Sequence, residues 1–510
     1  MKTKLLLSAL LFSFNSLVFA QCPGTPDPGY TCIPDDHFEQ ALIDLNIDTN
    51  ATIDGQVLTA AIESVTSLDV HSYFISDMTG IEGFAALETL NCRSNNLTTL
   101  NLFNNTALTH IECYANFISN LTMPNNNTLT YLNCGNNNLS SINLSSYPDL
   151  NYLAIYNNDL TQLNLSSNNA LTYINCRTNS ISDLTLPNSA PNLYYLHCAQ
   201  NSLTALNLSS VTGLEQLYCY ENNLNSIDLQ YNPFLLILWI WTNNLSALDL
   251  TNNSSLIDID CGDNSINSIN TLQIPNIQIF YCYNNNLSSL DVSNNSDLVD
   301  IDCGNNSSLS LTLPNIKTNL KYLWVYGTNM STLNYDEYIS LQKLDIGINN
   351  FTNADVSMLS DLYQFYCNQN QLTSLNIANG NIDNFTWMWA QDNPTGLCIQ
   401  VDDTGKAQAK SSPNWQRDPG STFSLNCGLG LEEFKNKNVS IYPNPTKEKF
   451  FIDLQLEANY TLSNVFGQEV KKGLLVSGTN ELETNTLSTG IYLLKIDSPE
   501  GSMTKKLIKQ

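Results

Sequence analysis

Aromatic and acidic side chains alternate at a fixed step in the middle of this 510-residue chain. Taken as pairs one residue apart, they run Tyr218/Tyr220, Trp239/Trp241, Asp260/Gly262, Tyr281/Tyr283, Asp302/Gly304, Trp324/Tyr326, Asp345/Gly347 and Tyr366/Asn368. A flat ring can stack on the apolar face of a sugar or on another ring, and a carboxylate accepts hydrogen bonds from hydroxyls. The residues predicted to bind a ligand are Trp239, Trp241, Asp260, Tyr281, Tyr283, Asp302, Trp324 and Tyr326. Other chemistry is poorly served. His110 beside Glu112, and His197 alone, lack a partnered Ser or Cys nucleophile. Asp260 and Asp302 fall two strand spacings apart, about 10 Å, slightly beyond the separation used by inverting glycosidases. An open face is also expected to desolvate a carboxyl too little to raise its pKa. Asp258, Asp260 and Asp263 offer oxygens for calcium but no wrapping loop. No catalytic residue, metal site or cofactor is therefore assigned.

These pairs sit at positions 5 and 7 of a repeat. Repeats start at Leu87, Leu108, Leu129, Leu150, Leu171, Leu193, Leu214, Leu235, Leu256, Ile277, Leu298, Leu320, Leu341 and Leu362, with worn copies from Val65 and Ile382. The step is 21 residues, with 22 after Leu171 and Leu298. A fixed period of this size marks a solenoid. In LTYLNCGNNNL (Leu129–Leu139), Leu132 and Cys134 point one way while Tyr131, Asn133 and Gly135 point the other, which is a strand pattern. Stacked repeats make a parallel sheet whose strands lie about 4.8 Å apart. Aromatic pairs would then stand as ridges with acidic floors between them. The N-terminal half reads as less regular: Tyr131, Tyr152, Tyr156, Tyr173, Tyr194 or Tyr195, with Arg93 and Arg177. Position 9 is Asn in nearly every copy (Thr328 is the exception), an amide able to bond backbone where the chain leaves the strand. The second half of each repeat is too short for a helix with turns and predicts extended or 3₁₀ pieces. The consensus LxxLxCxxNxLxxLxLxxNxx resembles the leucine-rich repeat over about residues 65–397, which implies a curved solenoid with its strands on the concave face.

Ten cysteines hold position 6: Cys92, Cys113, Cys134, Cys176, Cys198, Cys219, Cys261, Cys282, Cys303 and Cys367. They fall in a row on separate strands, so they cannot converge on one metal. Parallel Cβ vectors about 4.8 Å apart also exceed the usual disulfide separation. The column therefore predicts small buried hydrophobes. Val70, Ile155, Ile240 and Val325 fill it at intervals of 85 residues, a trace of duplication in blocks of four that Ile346 breaks.

The net charge is −27. Residues 21–427 hold 37 acids and 8 bases, and residues 428–510 hold 10 of each. So acidic a body argues against nucleic acid and anionic membranes. No later apolar run is long enough to span a bilayer. Met1–Ala20 reads as a secretory signal, with Lys2 and Lys4 before an apolar stretch and cleavage after Ala20. Residues 21–64 read as an N-terminal cap, in which Cys22 and Cys32 could pair in an oxidising compartment. Asp35-Asp36 there precede an amphipathic helix through Phe38, Ala41, Leu42 and Leu45. Residues 398–427 close the array, bracketed by Cys398 and Cys427, which are expected to form a disulfide. Gly428–Asn438 reads as a linker.

Residues 439–510 have short β-rich runs punctuated by Pro, Gly and Asn, the pattern of a small β-sandwich. The runs are Val439–Tyr442, Phe450–Leu454, Tyr460–Val465, Val470–Val476, Ile491–Ile496 and Met503–Ile508. With Tyr442-Pro443-Asn444-Pro445, Val465-Phe466-Gly467-Gln468, Gly490-Ile491-Tyr492 and the basic end Lys505-Lys506-Leu507-Ile508-Lys509, this segment resembles the C-terminal sorting domain of the type IX secretion system of Bacteroidetes. The resemblance implies contact with that machinery and passage across both membranes, to the medium or the cell surface. The chain thus reads as a mainly β protein, a leucine-rich-repeat solenoid plus a small C-terminal β-sandwich. The expected partner is an extracellular glycan or protein on the concave face. A structural or adhesive surface protein and a glycan-active enzyme are the alternatives. Oligomeric state is not legible.

Overall fold

The computed structural model describes residues 26–410, 413–427, 439–454, 457–464, 468–498 and 501–510. The signal, Cys22, the linker and Val465–Gly467 lie outside the described residues. Seventeen three- or four-residue strands, from Ser67–Asp69 to Trp415–Arg417, pair in parallel, each with the next in sequence on this face. No pair joins the last strand to the first among the described residues, so the sheet is an open ribbon. Register is strict: Trp239, Asp260, Tyr281, Asp302, Trp324, Asp345 and Tyr366 are successive partners. The ribbon runs on to Trp415–Arg417, inside the segment expected to close the array.

The alternation read from the sequence is what sets the core. Leu132 and Cys134 are fully buried, and so are all ten position-6 cysteines, each a free thiol. Burial raises their thiols, Cys113 and Cys176 to about 12. The Cys261 thiol donates to the Tyr281 carbonyl at 3.4 Å, so the sulfur makes a weak bond to the next strand. The opposite side consists of extended pieces, some paired in parallel as in Gln162–Asn164 with Asp183–Thr185, and of 3₁₀ turns at Ile81–Gly83 and Thr271–Gln273.

Position 9 stitches each turn to its neighbour. Asn285 Nδ2 donates to the carbonyls of Cys261, Cys282 and Tyr283 at 3.0–3.2 Å. Its Oδ1 accepts the Ile266 N–H at 2.8 Å. The same pattern recurs at Asn116, Asn137, Asn158 and onward. Asn285→Ala should cost about 2–4 kcal/mol, because several buried backbone groups lose their partner at once. The exposed neighbour Asn286, with one 3.5 Å bond, should cost under about 0.5 kcal/mol when changed to Ala. Equilibrium denaturation of the two variants measures the difference.

Position 8 carries a feature the sequence does not announce. Its backbone is left-handed in turn after turn, at Ser94, Ala115, Asn136, Glu221, Asp263 and others, with φ near 50°. The residue types there are too mixed to signal it. Ile348 holds φ 53° and is 48% exposed, a β-branched residue where the left-handed region is most costly. Ile348→Asn should stabilise the body by about 1 kcal/mol. A lower denaturation midpoint would contradict this.

The N-terminal helix Asp36–Asp44 starts on Asp35, whose Oδ1 accepts the His37 and Phe38 N–H groups. Asp35 Oδ2 accepts the Ser76 and Asp77 N–H groups and the Ser76 hydroxyl, tying the cap to the first turns. Phe38, Ala41 and Leu42 are buried as expected. Leu45 is not, because the helix ends there and leaves it 41% exposed. Cys32 is disulfide-bonded, and the expected partner Cys22 lies outside the described residues. Cys398 and Cys427 are bonded, with Cα atoms 5.6 Å apart.

The C-terminal segment forms two antiparallel sheets, of three and four strands, over a core of its own. One strand, Gly478–Glu483, was not among the sequence-read runs, because Gly-Thr-Asn-Glu-Leu-Glu has few β-rich residues.

Candidate ligand-binding face

Strand pleating sends positions 3, 5 and 7 outward on the concave face, and in-register stacking brings the same position of successive turns together. The structure therefore gathers Trp239, Asp260, Tyr281, Asp302 and Trp324 into one row at position 5. Trp241, Tyr283 and Tyr326 belong to the adjoining row at position 7, with Gly262 and Gly304 between them. Trp239 is 37% exposed, and the remaining rings of the set are half-buried.

The rings do not stand as ridges. A Cβ on Gly262 would fall 2.4 Å from the Tyr283 ring, and one on Gly304 would meet Tyr326 at 2.4 Å. Each position-7 tyrosine thus lies back over the glycine of the preceding turn, into the space the missing side chain leaves. Gly135 under Tyr156 is the same arrangement. Position-5 rings are held at their polar ends. Trp239 Nε1 donates to Asp258 Oδ1 at 3.2 Å, and the Tyr281 hydroxyl to Asp300 Oδ2 at 2.7 Å. Trp241 stacks on Tyr220, centroids 4.5 Å apart.

The expectation of little desolvation is overturned. Burial, with Asp258 and Asp263 nearby and against a bond from the Gly262 N–H, raises the Asp260 carboxyl to about 6. Burial raises Asp302 to about 7, helped by Asp345, Asp300 and Asp260. Asp345 rises to about 7 by burial alone, against a bond from the Gly347 N–H. Asp258 and Asp300 are raised by burial too. Among the described residues no group of three His, Cys, Asp or Glu is placed to hold a metal.

The N-terminal half is more ordered than its sequence suggested. His110, Tyr131, Tyr152, Tyr173 and Tyr195 form one continuous stack, with centroids 3.9–4.4 Å apart and planes within 7°. Tyr195 takes the place in the stack, and Tyr194 is 42% exposed. These five rings all occupy position 3 of successive repeats, at the strand spacing, and that recurrence is the signal in the sequence. His197 is buried against Tyr218 and Tyr220, and burial with Arg177 lowers its imidazole to about 4.

An open parallel ribbon of 21-residue turns, with an amide ladder and an aromatic concave face, defines a leucine-rich-repeat solenoid. Residues 440–510 match the family described as "Secretion system C-terminal sorting domain". The chain is similar to the functional domain of InlJ from Listeria monocytogenes, a structure described as including a cysteine ladder. That likeness has 23% identity and TM-score 0.60, over 94% of this chain and 99% of that one. It is also similar to YopM from Yersinia enterocolitica, with 23% identity and TM-score 0.52, over 62% of this chain and 69% of that one. A TDR receptor structure matches with 18% identity and TM-score 0.53, over 72% and 70% of the two chains. No curated protein matches the chain. The chain thus has the fold of a leucine-rich-repeat solenoid and carries a sorting tail that marks it for export, to the medium or the cell surface. Among the described residues no helix is long and apolar enough to cross a membrane.

Proposed function

We propose that the exported solenoid is a binding protein that recognises an extracellular glycan or protein along its concave face and performs no chemistry on it. The observation that carries this is the strip Trp239–Tyr326. Its rings lie on a face with no core to cover, and the strip is topped by a tryptophan 37% exposed. Rings held in place by glycine seats and carboxylate bonds lose little entropy on contact. Asp260 and Asp302 supply acceptors between them.

Screening the mature body on glycan and protein arrays tests this. One specific group of ligands supports recognition. Weak adhesion to many surfaces supports a structural role instead, and turnover of a bound glycan an enzyme. Trp239→Ala with Trp241→Ala should cost about 1–3 kcal/mol of binding per ring. Trp241 also stacks on Tyr220, so that variant should lose about 0.5–1.5 kcal/mol of stability as well. Unchanged affinity for an array ligand would reduce the alternation to duplication history.

A further inference from the structure

The carboxylates of the concave face fall into two groups. Asp258 and Asp300 accept from the polar ends of Trp239 and Tyr281. Asp260, Asp302 and Asp345 instead use one oxygen, Oδ1, on the N–H of the glycine two residues on, at 3.1, 2.9 and 2.8 Å. Their Oδ2 atoms make no hydrogen bond to a described residue. These three lie on every second strand, about 9.6 Å apart. The outward positions of these strands carry one base, Lys343. Its ammonium lies 5.4 Å from the centroid of the Tyr322 ring and 5.9 Å from those of Trp324 and Tyr363. The face therefore already holds one cation against its rings, the arrangement in which aromatic faces attract positive charge.

We propose that the C-terminal half of the concave face takes an extended basic segment of polypeptide, its cationic side chains at every third residue seated in turn on Asp260, Asp302 and Asp345 beside the rings of the alternating strands. The inference rests on the concave face being the binding site and names the class of partner. A polyproline-II segment has three residues per turn and about 3.1 Å rise, so every third side chain recurs at about 9.3 Å, close to the spacing of the carboxylates. Such segments dock in aromatic-lined grooves at low entropic cost. Charge complementarity is strong: residues 21–427 hold 37 acids against 8 bases. The three carboxylates are desolvated without a counter-charge, which is why their pKa values lie at about 6, 7 and 7. A seated cation supplies that charge, so binding expels their protons and weakens as pH falls. The other groups facing them are Asp258, Asp263, Asp300 and Lys343, with Tyr281, Tyr283, Tyr326 and Tyr366. The tyrosine hydroxyls are raised by burial and stay neutral in this range.

The test is fluorescence anisotropy of labelled peptides on the full chain at pH 8. One peptide repeats Lys-Pro-Pro six times, a second has the same composition with the lysines grouped at one end, and a third repeats Glu-Pro-Pro. The spaced lysine peptide should bind at least tenfold tighter than the grouped one, and the glutamate peptide should not bind. Asp302→Asn with Asp345→Asn, which keeps an oxygen for the glycine N–H groups, should lower affinity at least tenfold with an unchanged circular dichroism spectrum. Lowering the pH to 5.5 should weaken binding by a similar factor. Equal binding of spaced and grouped peptides would reduce the effect to bulk attraction and overturn the proposal. Tighter binding of a glucosamine oligomer than of the spaced peptide would overturn it in favour of an amino sugar. If the spaced peptide fails while Trp239→Ala with Trp241→Ala abolishes binding of an array ligand, the basic partner falls and the binding face stands.

Discussion

Lowering the pH from 8 to 5 should stabilise the repeat body, the reverse of ordinary acid denaturation. Asp260, Asp302 and Asp345 have carboxyls raised by burial to about 6, 7 and 7, and Glu39, buried in the N-terminal cap, rises to about 7 for the same leading reason. A carboxyl whose folded pKa exceeds its unfolded value of about 3.9 binds its proton more tightly in the native state. Its contribution is fully present below about pH 4 and is lost as the pH rises to about 7. One pKa unit corresponds to about 1.4 kcal/mol. Discounted for the water that still reaches half-buried groups, the change between pH 8 and pH 5 should be on the order of 5 kcal/mol. The excess of acids in the body acts in the same direction, because protonation relieves self-repulsion. Asp69, Asp249 and Asp291 are shifted down by their hydrogen bonds, and for Asp69 these outweigh burial, its largest single influence. Their stabilisation is lost only below about pH 4, so the maximum should lie near pH 4–5. Urea midpoints measured from pH 4 to pH 8 test this. Asp302→Asn with Asp345→Asn should flatten the profile by about half, which separates these two groups from the general charge. A midpoint that rises steadily from pH 5 to pH 8 would mean that the carboxylates are solvated.

This behaviour was not legible in the sequence, although the architecture was. Period and alternation are sums over many turns. Leu132 and Cys134 had to face inward, and position 9 had to bond backbone, because no other placement satisfies fourteen copies together. Ring tilt is set by one neighbour at a time. Tyr283 lies back because Gly262 leaves room under it, and the pair could equally be read as ridge and open floor. The carboxylates of these strands are desolvated in the packed face, and their pKa values follow. The stack from His110 to Tyr195 depends on a detail of the same kind, the choice between two adjacent tyrosines. The left-handed position 8 was hidden because stacking imposes it on Glu221 and Ile348 as readily as on Asn136.

Removing residues 439–510 should leave the body folded and abolish its export. The segment has its own core, built on Phe450, Ile452, Leu462, Leu494 and Ile496, which shares no residue with the core of the repeats. The body is closed at its C-terminal end by Trp415, Phe423 and the Cys398–Cys427 disulfide, all before the cut. Its loss of stability should therefore be small, under about 1 kcal/mol. The match to a secretion sorting domain is what makes export fail. Within the tail, Asn444 ties Tyr442-Pro443-Asn444-Pro445 to the basic end. Its Nδ2 donates to the Lys506 carbonyl at 2.6 Å, and its Oδ1 accepts the Ile508 N–H at 2.9 Å. The Thr446 N–H donates to the Ile508 carbonyl, and Gln510 N–H to that of Thr446. The motif thus clamps the edge strand that presents Lys505, Lys506 and Lys509. Asn444→Ala removes two of these bonds at the surface and should lower export several-fold while the tail stays folded. Fractionation of cells carrying each form measures both effects, with thermal denaturation of the purified body as the control. Full delivery of the truncated chain to the surface or medium would refute the assignment of the tail, and full delivery of Asn444→Ala would refute the clamp.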